Sequence, residues 1–235
     1  MSKAIVLVSG GMDSCVTTSI ASKQFSKLAL LHVNYGQLTQ ERELQAFKDI
    51  QKFYSIKDSL IIDMSQFNII GGSSLTDSNI PVTKADLNNK KIPSSYVPFR
   101  NANILSSAVS WAEVINAKSI FIGAVEEDSS GYPDCRRSFF DAFEKAIDKG
   151  TKNDTKIKIE TPLIHLSKKE IILKGVELGA PLHLSWSCYK NQEIDLFSKN
   201  NSDRAVYLEY VGYINIVRYS NNPHPIIQCT KSGPT

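Results

Sequence analysis

The chain has 235 residues, 42% hydrophobic and 22% charged, as expected of one large globular domain or a domain with an appendage. Its 27 basic and 24 acidic residues are interspersed and leave a net charge of +3, too mild a bias for a nucleic-acid footprint. No apolar run is long enough to span a bilayer. Cys15, Cys135, Cys188 and Cys229 are scattered without a Cys-x-x-Cys pair, which predicts a reducing, cytoplasmic setting.

Ala4–Val8 is apolar and reads as a first strand, being too short for the core of a signal peptide. It runs into Ser9-Gly10-Gly11-Met12-Asp13-Ser14, with a helix predicted to begin at Asp13 and to cover Ser14–Phe25. Gly10 and Gly11 can take positive φ and bring backbone amides against a ligand with no Cβ in the way. Those amides, with the positive end of the following helix, form a cradle for pyrophosphate. The loop has neither the length nor the Gly-Lys-[Ser/Thr] ending of a Walker A loop. Leu28–Asn34 is a second strand, followed by Asn34-Tyr35-Gly36-Gln37; Glu41–Tyr54 is helical and Ser59–Asp63 a third strand. Gly71–Pro98 is rich in Gly, Ser, Asn and Pro and too long for a simple connection, which predicts a lid or insert. Arg100–Ile115 has helical apolar spacing, Lys118–Val125 reads as a fourth strand, and Arg136–Lys149 and Ser167–Leu178 as further helices. This alternation predicts an α/β fold with a parallel sheet covered on both faces. Ligands of such sheets bind beyond the strands' carboxyl ends, where Val8, Asn34 and Gly123 fall. From Ser187 the pattern loosens into a helix expected over Asp203–Ile216 and a polar tail over Ser220–Thr235.

Several side chains have chemistry to offer and a plainer use beside it. Val8, Ser9, Gly10, Gly11, Met12, Asp13 and Ser14 are the candidate nucleotide contacts, with Asn34 and Gly123 at the neighbouring strand ends. Asp13 either places a metal or caps the helix, and the two are compatible. Cys15 reads as a packed small residue rather than an activated thiol. Arg100 offers a planar fork to a phosphate or a carboxylate, or a salt bridge at a helix start. Asp134 offers a carboxylate to N–H donors of a ligand, with Tyr132 offering an aromatic face, or it supplies a helix cap at a Pro-Asp turn. Lys168 is a candidate cation for a phosphate group, or with Glu170 a solvated pair near a helix start. His32, His165, His183 and His224 have no metal-binding spacing and are read as structural or surface residues.

SGGMDS at 9–14, VPFRN at 97–101, GYPDCR at 131–136, TPL at 161–163 with Lys168 and Glu170, and WSCY at 186–189 stand in that order. The first block resembles the PP-loop of ATP pyrophosphatases, and the full set resembles the 7-cyano-7-deazaguanine synthase (QueC-like) family over about residues 4–189. That resemblance implies a Rossmann-like PP-loop domain over 1–186, with 71–98 as its lid. It also implies an ATP-dependent ligase that adenylates the carboxylate of 7-carboxy-7-deazaguanine, releases pyrophosphate, amidates with ammonia and continues to the nitrile. Asp13, Ser14, Arg100 and Lys168 would be catalytic, and Arg100, Asn101, Tyr132 and Asp134 would bind substrate. ATP and magnesium are the implied cofactors, and a homodimer is usual.

The family ends in a zinc knuckle with three more cysteines after the one matching Cys188. Here no cysteine follows Cys188 until Cys229. Cys188, Cys229 and His224 supply at most three ligands, one short of a structural zinc site, so zinc is predicted absent. A degenerate knuckle-like element is expected over 187–219, packed through Val206, Leu208, Tyr210, Val211 and Tyr213. With this element rebuilt, two further outcomes stay open. One is transfer of the deazaguanine acyl group to another amine, such as a partner protein's N-terminus, since relatives sit beside antiviral defence genes. The other is a nucleotide-binding module without chemistry.

Overall fold

The structure, a computed structural model, describes residues 2–77, 79–81, 92–126, 132–186, 215–217 and 226–228. Strands β1 (Lys3–Leu7), β2 (Lys27–Asn34), β3 (Asp58–Asp63), β4 (Ala117–Phe121) and β5 (Lys158–Glu160) form one parallel sheet in the order β3-β2-β1-β4-β5. Ile5 of β1 sits in register between Ala29 of β2 and Ile120 of β4. The helices are α1 (Met12–Gln24), α2 (Gln40–Phe53), α3 (Gln66–Ile70), α4 (Arg100–Ile115), α5 (Arg137–Gly150) and α6 (Lys168–Glu177).

Alternate residues of each strand face opposite ways, and both faces of the central strands are buried. Ile5, Leu7, Leu31, Val33 and Ile120 join Leu105, Ala108 and Ala112 of α4 and Phe140 and Ile147 of α5 in one core. Ala4, Val6, Leu30 and Phe121, which alternate with them, are buried as well. There α1 packs on β1, β2 and β4, and α2 packs on β2. Near-continuous apolar strands are what such two-sided burial requires. The chain winds outward from β1 to β3 and then returns through α4 to the other side of β1. The order reverses between β1 and β4, and this opens a crevice at their carboxyl ends.

Some boundaries differ from expectation. Gly11, not Asp13, stands at the N-cap of α1, with extended φ of −76° and no side-chain cap, so only Gly10 takes positive φ, at +94°. The fourth strand leaves the ladder at Phe121 rather than Val125; Ile122 still donates to the Glu160 carbonyl at 3.0 Å, and Ala124 and Val125 beyond it are buried. Two short elements, α3 and β5, carry too few residues for a periodic signal.

Both ends of the 71–98 stretch are anchored. Ser73, Ser74, Leu75 and Val97 are buried, Ser74 N–H donates to the Ser94 carbonyl at 2.8 Å, and Leu38 N–H to the Leu75 carbonyl at 3.1 Å. Residues 82–91 lie outside the described residues. The chain divides into compact units at Met1–Tyr189 and Lys190–Thr235. In the second, Asn215–Val217 and Ile226–Gln228 form an antiparallel pair, β6 and β7. Asn215 and Ile216, expected at the end of a helix over Asp203–Ile216, are therefore extended; the rest of that helix, and most of 187–219 and 220–235, lie outside the described residues. No helix among the described residues is long and apolar enough to cross a membrane.

Candidate active site

The loop between β1 and α1 is held from three sides. A Cβ on Gly10 would stand 2.5 Å from the Glu43 carbonyl oxygen, and the positive φ already favours glycine. Trp186 N–H donates to the Gly10 carbonyl at 2.8 Å, which fixes the plane of the Gly10–Gly11 peptide. Ser9 Oγ accepts from Gly11 N–H at 3.2 Å, and Ser14 Oγ donates to the Gly11 carbonyl at 2.8 Å while lying 3.3 Å from Ser9 Oγ. Helix α1 begins at Met12 on this loop, and a helix N-terminus is suited to an anion. Gly123, across the crevice, comes so close to α1 that a Cβ would lie 3.0 Å from the Asp13 carbonyl. Asn34, at the end of β2, is hydrogen-bonded through Oδ1 with Nε2 of buried His32 at 3.1 Å, and Nδ1 of that ring is bonded with the Val8 carbonyl at 2.8 Å. Burial lowers the pKa of His32, and its ring packs on Phe47, centroids 4.9 Å apart.

Lys168 is not a solvated surface residue. It opens α6, where Ser167 and Glu170 form a reciprocal capping box, and its Nζ lies 2.8 Å from Asp13 Oδ2. Its side chain is 19% exposed and that of Asp13 26%. Gly175 allows α6 this close to α1, since a Cβ there would sit 2.8 Å from Val16 Cγ2. Asp13, in place of capping α1, thus holds a lysine brought from 155 residues away.

Arg100 opens α4 after Phe99, which takes the left-handed conformation at φ 56°. The Arg100 guanidinium stacks 4.8 Å above the Tyr35 ring. Asn101 follows, its amide donating to Asp134 Oδ2 at 2.9 Å and its Nδ2 to the Asp134 carbonyl at 2.9 Å. Asp134 therefore braces the start of α4 from the 3-10 turn Pro133–Cys135. Burial raises its pKa, against the Asn101 N–H and the Arg100 charge. Tyr132 hydrogen-bonds Ser95 and packs against Tyr96, ring centroids 5.6 Å apart. Arg100 exerts its charge on Tyr35, Tyr132, Asp134 and Cys135. Lys168 also acts on Cys135, more weakly than Arg100 does. Burial pushes the Cys135 thiol up to about 11 and that of Cys15 to about 12. Both are protonated packing groups near neutral pH.

Among the described residues no three His, Cys, Asp or Glu side chains gather as a metal site. Cys188, Cys229 and His224 lie outside them. Magnesium bound through substrate phosphates needs only one or two carboxylates, and Asp13 fits that requirement. Tyr35, Gln37, Glu43 and Trp186 were not among the sequence candidates. Tyr35 and Gln37 had a signal, since Asn34-Tyr35-Gly36-Gln37 ends a strand at the ligand edge, but nothing local announces that Glu43 or Trp186 reaches the loop.

The family model described as "Queuosine biosynthesis protein QueC" matches residues 3–200. The 7-cyano-7-deazaguanine synthase of Chloroherpeton thalassium is 60% identical over 192 residues, 82% of this chain and 85% of the relative. That of Chlorobium chlorochromatii is 54% identical over 225 residues, 95% of this chain and 99% of the relative. Among solved structures, the U34-tRNA thiolase NcsA of Methanococcus maripaludis is 17% identical with a TM-score of 0.47, over 80% of this chain and 60% of that one. The loop geometry, the sheet order and the match over most of the sequence lead to one assignment: this chain belongs to the QueC family and is an ATP-dependent ligase of the 7-cyano-7-deazaguanine synthase type.

Proposed function

We propose that the chain adenylates the carboxylate of 7-carboxy-7-deazaguanine in the cytoplasm. One observation carries this: the Lys168–Asp13 pair stands at the first turn of α1 beside the Ser9–Ser14 loop, and the Arg100 guanidinium stacks on Tyr35, which follows the carboxyl end of β2. That arrangement has an anion cradle on one side and a carboxylate fork on the other. The pyrophosphate would lie on Ser9, Gly10, Gly11 and Ser14, with Val8, Met12, Asn34 and Gly123 shaping the nucleotide side. Magnesium would be held through Asp13 and would offset triphosphate charge.

In the first step the substrate carboxylate oxygen forms a bond to the α-phosphorus, the bond to the bridging oxygen breaks, and pyrophosphate leaves. Lys168 stabilises charge building on the α-phosphate, and Arg100 orients the attacking carboxylate. Ammonia then attacks the acyl carbon, AMP departs, and the nitrogen loses a proton to give the amide. With a second ATP the amide oxygen attacks the α-phosphorus and pyrophosphate leaves again, and loss of AMP and the remaining N–H protons leaves the nitrile. Tyr132 would cover the deazaguanine face, with Asn101 and Asp134 beside its edge. Ammonia, ATP and the small-molecule acid are the partners, in a homodimer.

Mass spectrometry of products from the full chain with 7-carboxy-7-deazaguanine, ATP, magnesium and ammonia tests this. The nitrile with two AMP per product is expected. Accumulated amide or adenylate would overturn the second half and direct attention to a protein amine as acceptor. Failure to release pyrophosphate would overturn the whole proposal.

A further inference from the structure

We infer that Glu43 is a positioning residue, which sets Arg100 against the substrate through Gln37 and Tyr35 while its own backbone supports the phosphate loop. This rests on Arg100 binding the substrate carboxylate, as proposed above. Glu43 lies in the first turn of α2 and is 8% exposed. A carboxylate there is favoured by the helix dipole, and a buried carboxylate needs donors. Gln37 Nε2 donates to Glu43 Oε2 at 3.0 Å and Thr39 Oγ1 to Glu43 Oε1 at 2.5 Å. Gln37 is itself buried and turns its other end back, Oε1 accepting from Tyr35 N–H at 2.9 Å. One amide side chain therefore spans from the Glu43 carboxylate to the backbone of the residue whose ring lies under Arg100.

Tyr35 is well suited to be that platform. Its ring is buried, and burial with the Glu43 charge pushes its hydroxyl up to about 12 against the Arg100 charge. It stays neutral, so Arg100 keeps its charge for a ligand. Gly36, at φ +77°, takes the left-handed conformation that favours glycine, with the Asn68 side chain packed against it. On the loop side, the Glu43 carbonyl is the atom a Cβ on Gly10 would strike, at 2.5 Å. The carboxylate and the carbonyl of Glu43 thus face the two halves of the site.

A double-mutant cycle on the full chain tests this. Glu43→Ala is expected to lower kcat/KM for 7-carboxy-7-deazaguanine about 10-fold, with the KM for that acid rising more than the KM for ATP. Glu43→Gln, which can still accept from Gln37, is expected to recover most of the loss. Arg100→Ala should cost more, and Glu43→Ala added to it should cost nothing further. Additive losses, or Glu43→Ala lowering only the Tm with unchanged kinetics, would overturn the inference and leave the role of Arg100 standing. Unchanged kinetics in Arg100→Ala would overturn both. If Glu43→Ala does not fold, Gln37→Ala takes its place in the cycle with the same expectations, because it breaks the same path at the next residue.

Discussion

Lys168 reaches Asp13 Oδ2 at 2.8 Å, with its side chain 19% exposed, and this placement supports the catalytic role proposed for it. A cation held beside a helix N-terminus adds charge where an α-phosphate gains it during attack, and the surrounding protein keeps the cation from being screened as it would be in water. Lys168→Met keeps the length of the stem and removes the charge. It is expected to slow pyrophosphate release by about 10²–10³-fold while the folded structure survives; wild-type rates in single-turnover assays would exclude Lys168 from the chemistry. Sequence reading could place Lys168 near a helix start but not beside Asp13, because the contact is made by two helices meeting, not by local pattern. Asp134 shows the same limit. Its carboxylate braces Asn101 across 33 residues, a partnership no spacing rule encodes.

At the scale of elements, α1, α4, α5 and α6 were legible to within two residues at either end, because their apolar spacing and the turns around them agree. Lys158–Glu160 escaped because three residues hold only one and a half periods of a strand; it pairs on one side only, with β4. The packing of α6 against α1 was also hidden, although the glycine that allows it is visible in the sequence. Gly175 interrupts a helix at a cost that needs a packing reason, and the reason is Val16, with Leu182 at 3.2 Å behind it. Gly175→Ala is expected to push α6 away from α1 and to destabilise the fold by about 1–3 kcal/mol, the usual cost of overpacking. It should also loosen Lys168 from Asp13, so a fall in pyrophosphate release is expected alongside the fall in urea midpoint. A more stable Gly175→Ala, through alanine's better helix propensity, would show that the two helices have room to spare.

For the whole molecule, the reversal of strand order between β1 and β4 separates two kinds of anchoring. The Ser9–Ser14 loop is supported by α1, α2 and Trp186, whereas Arg100, Asn101 and Asp134 are supported by α4 and the 3-10 turn. If each support serves one ligand, damage to the loop should leave the other side responsive. ATP with magnesium at 100 times its Kd should stabilise the wild type by about 2.7 kcal/mol, and each kcal/mol is worth about 2–4 °C in Tm for a chain of this size. Gly10→Ala, strained at φ +94° and blocked by the Glu43 carbonyl, should lose that shift and keep the shift given by 7-carboxy-7-deazaguanine alone, each measured against its own ligand-free Tm. A full ATP response in Gly10→Ala would move the triphosphate off this loop. Loss of both responses would mean that the two sides of the crevice form one cooperative unit, with Glu43 between them as its physical link.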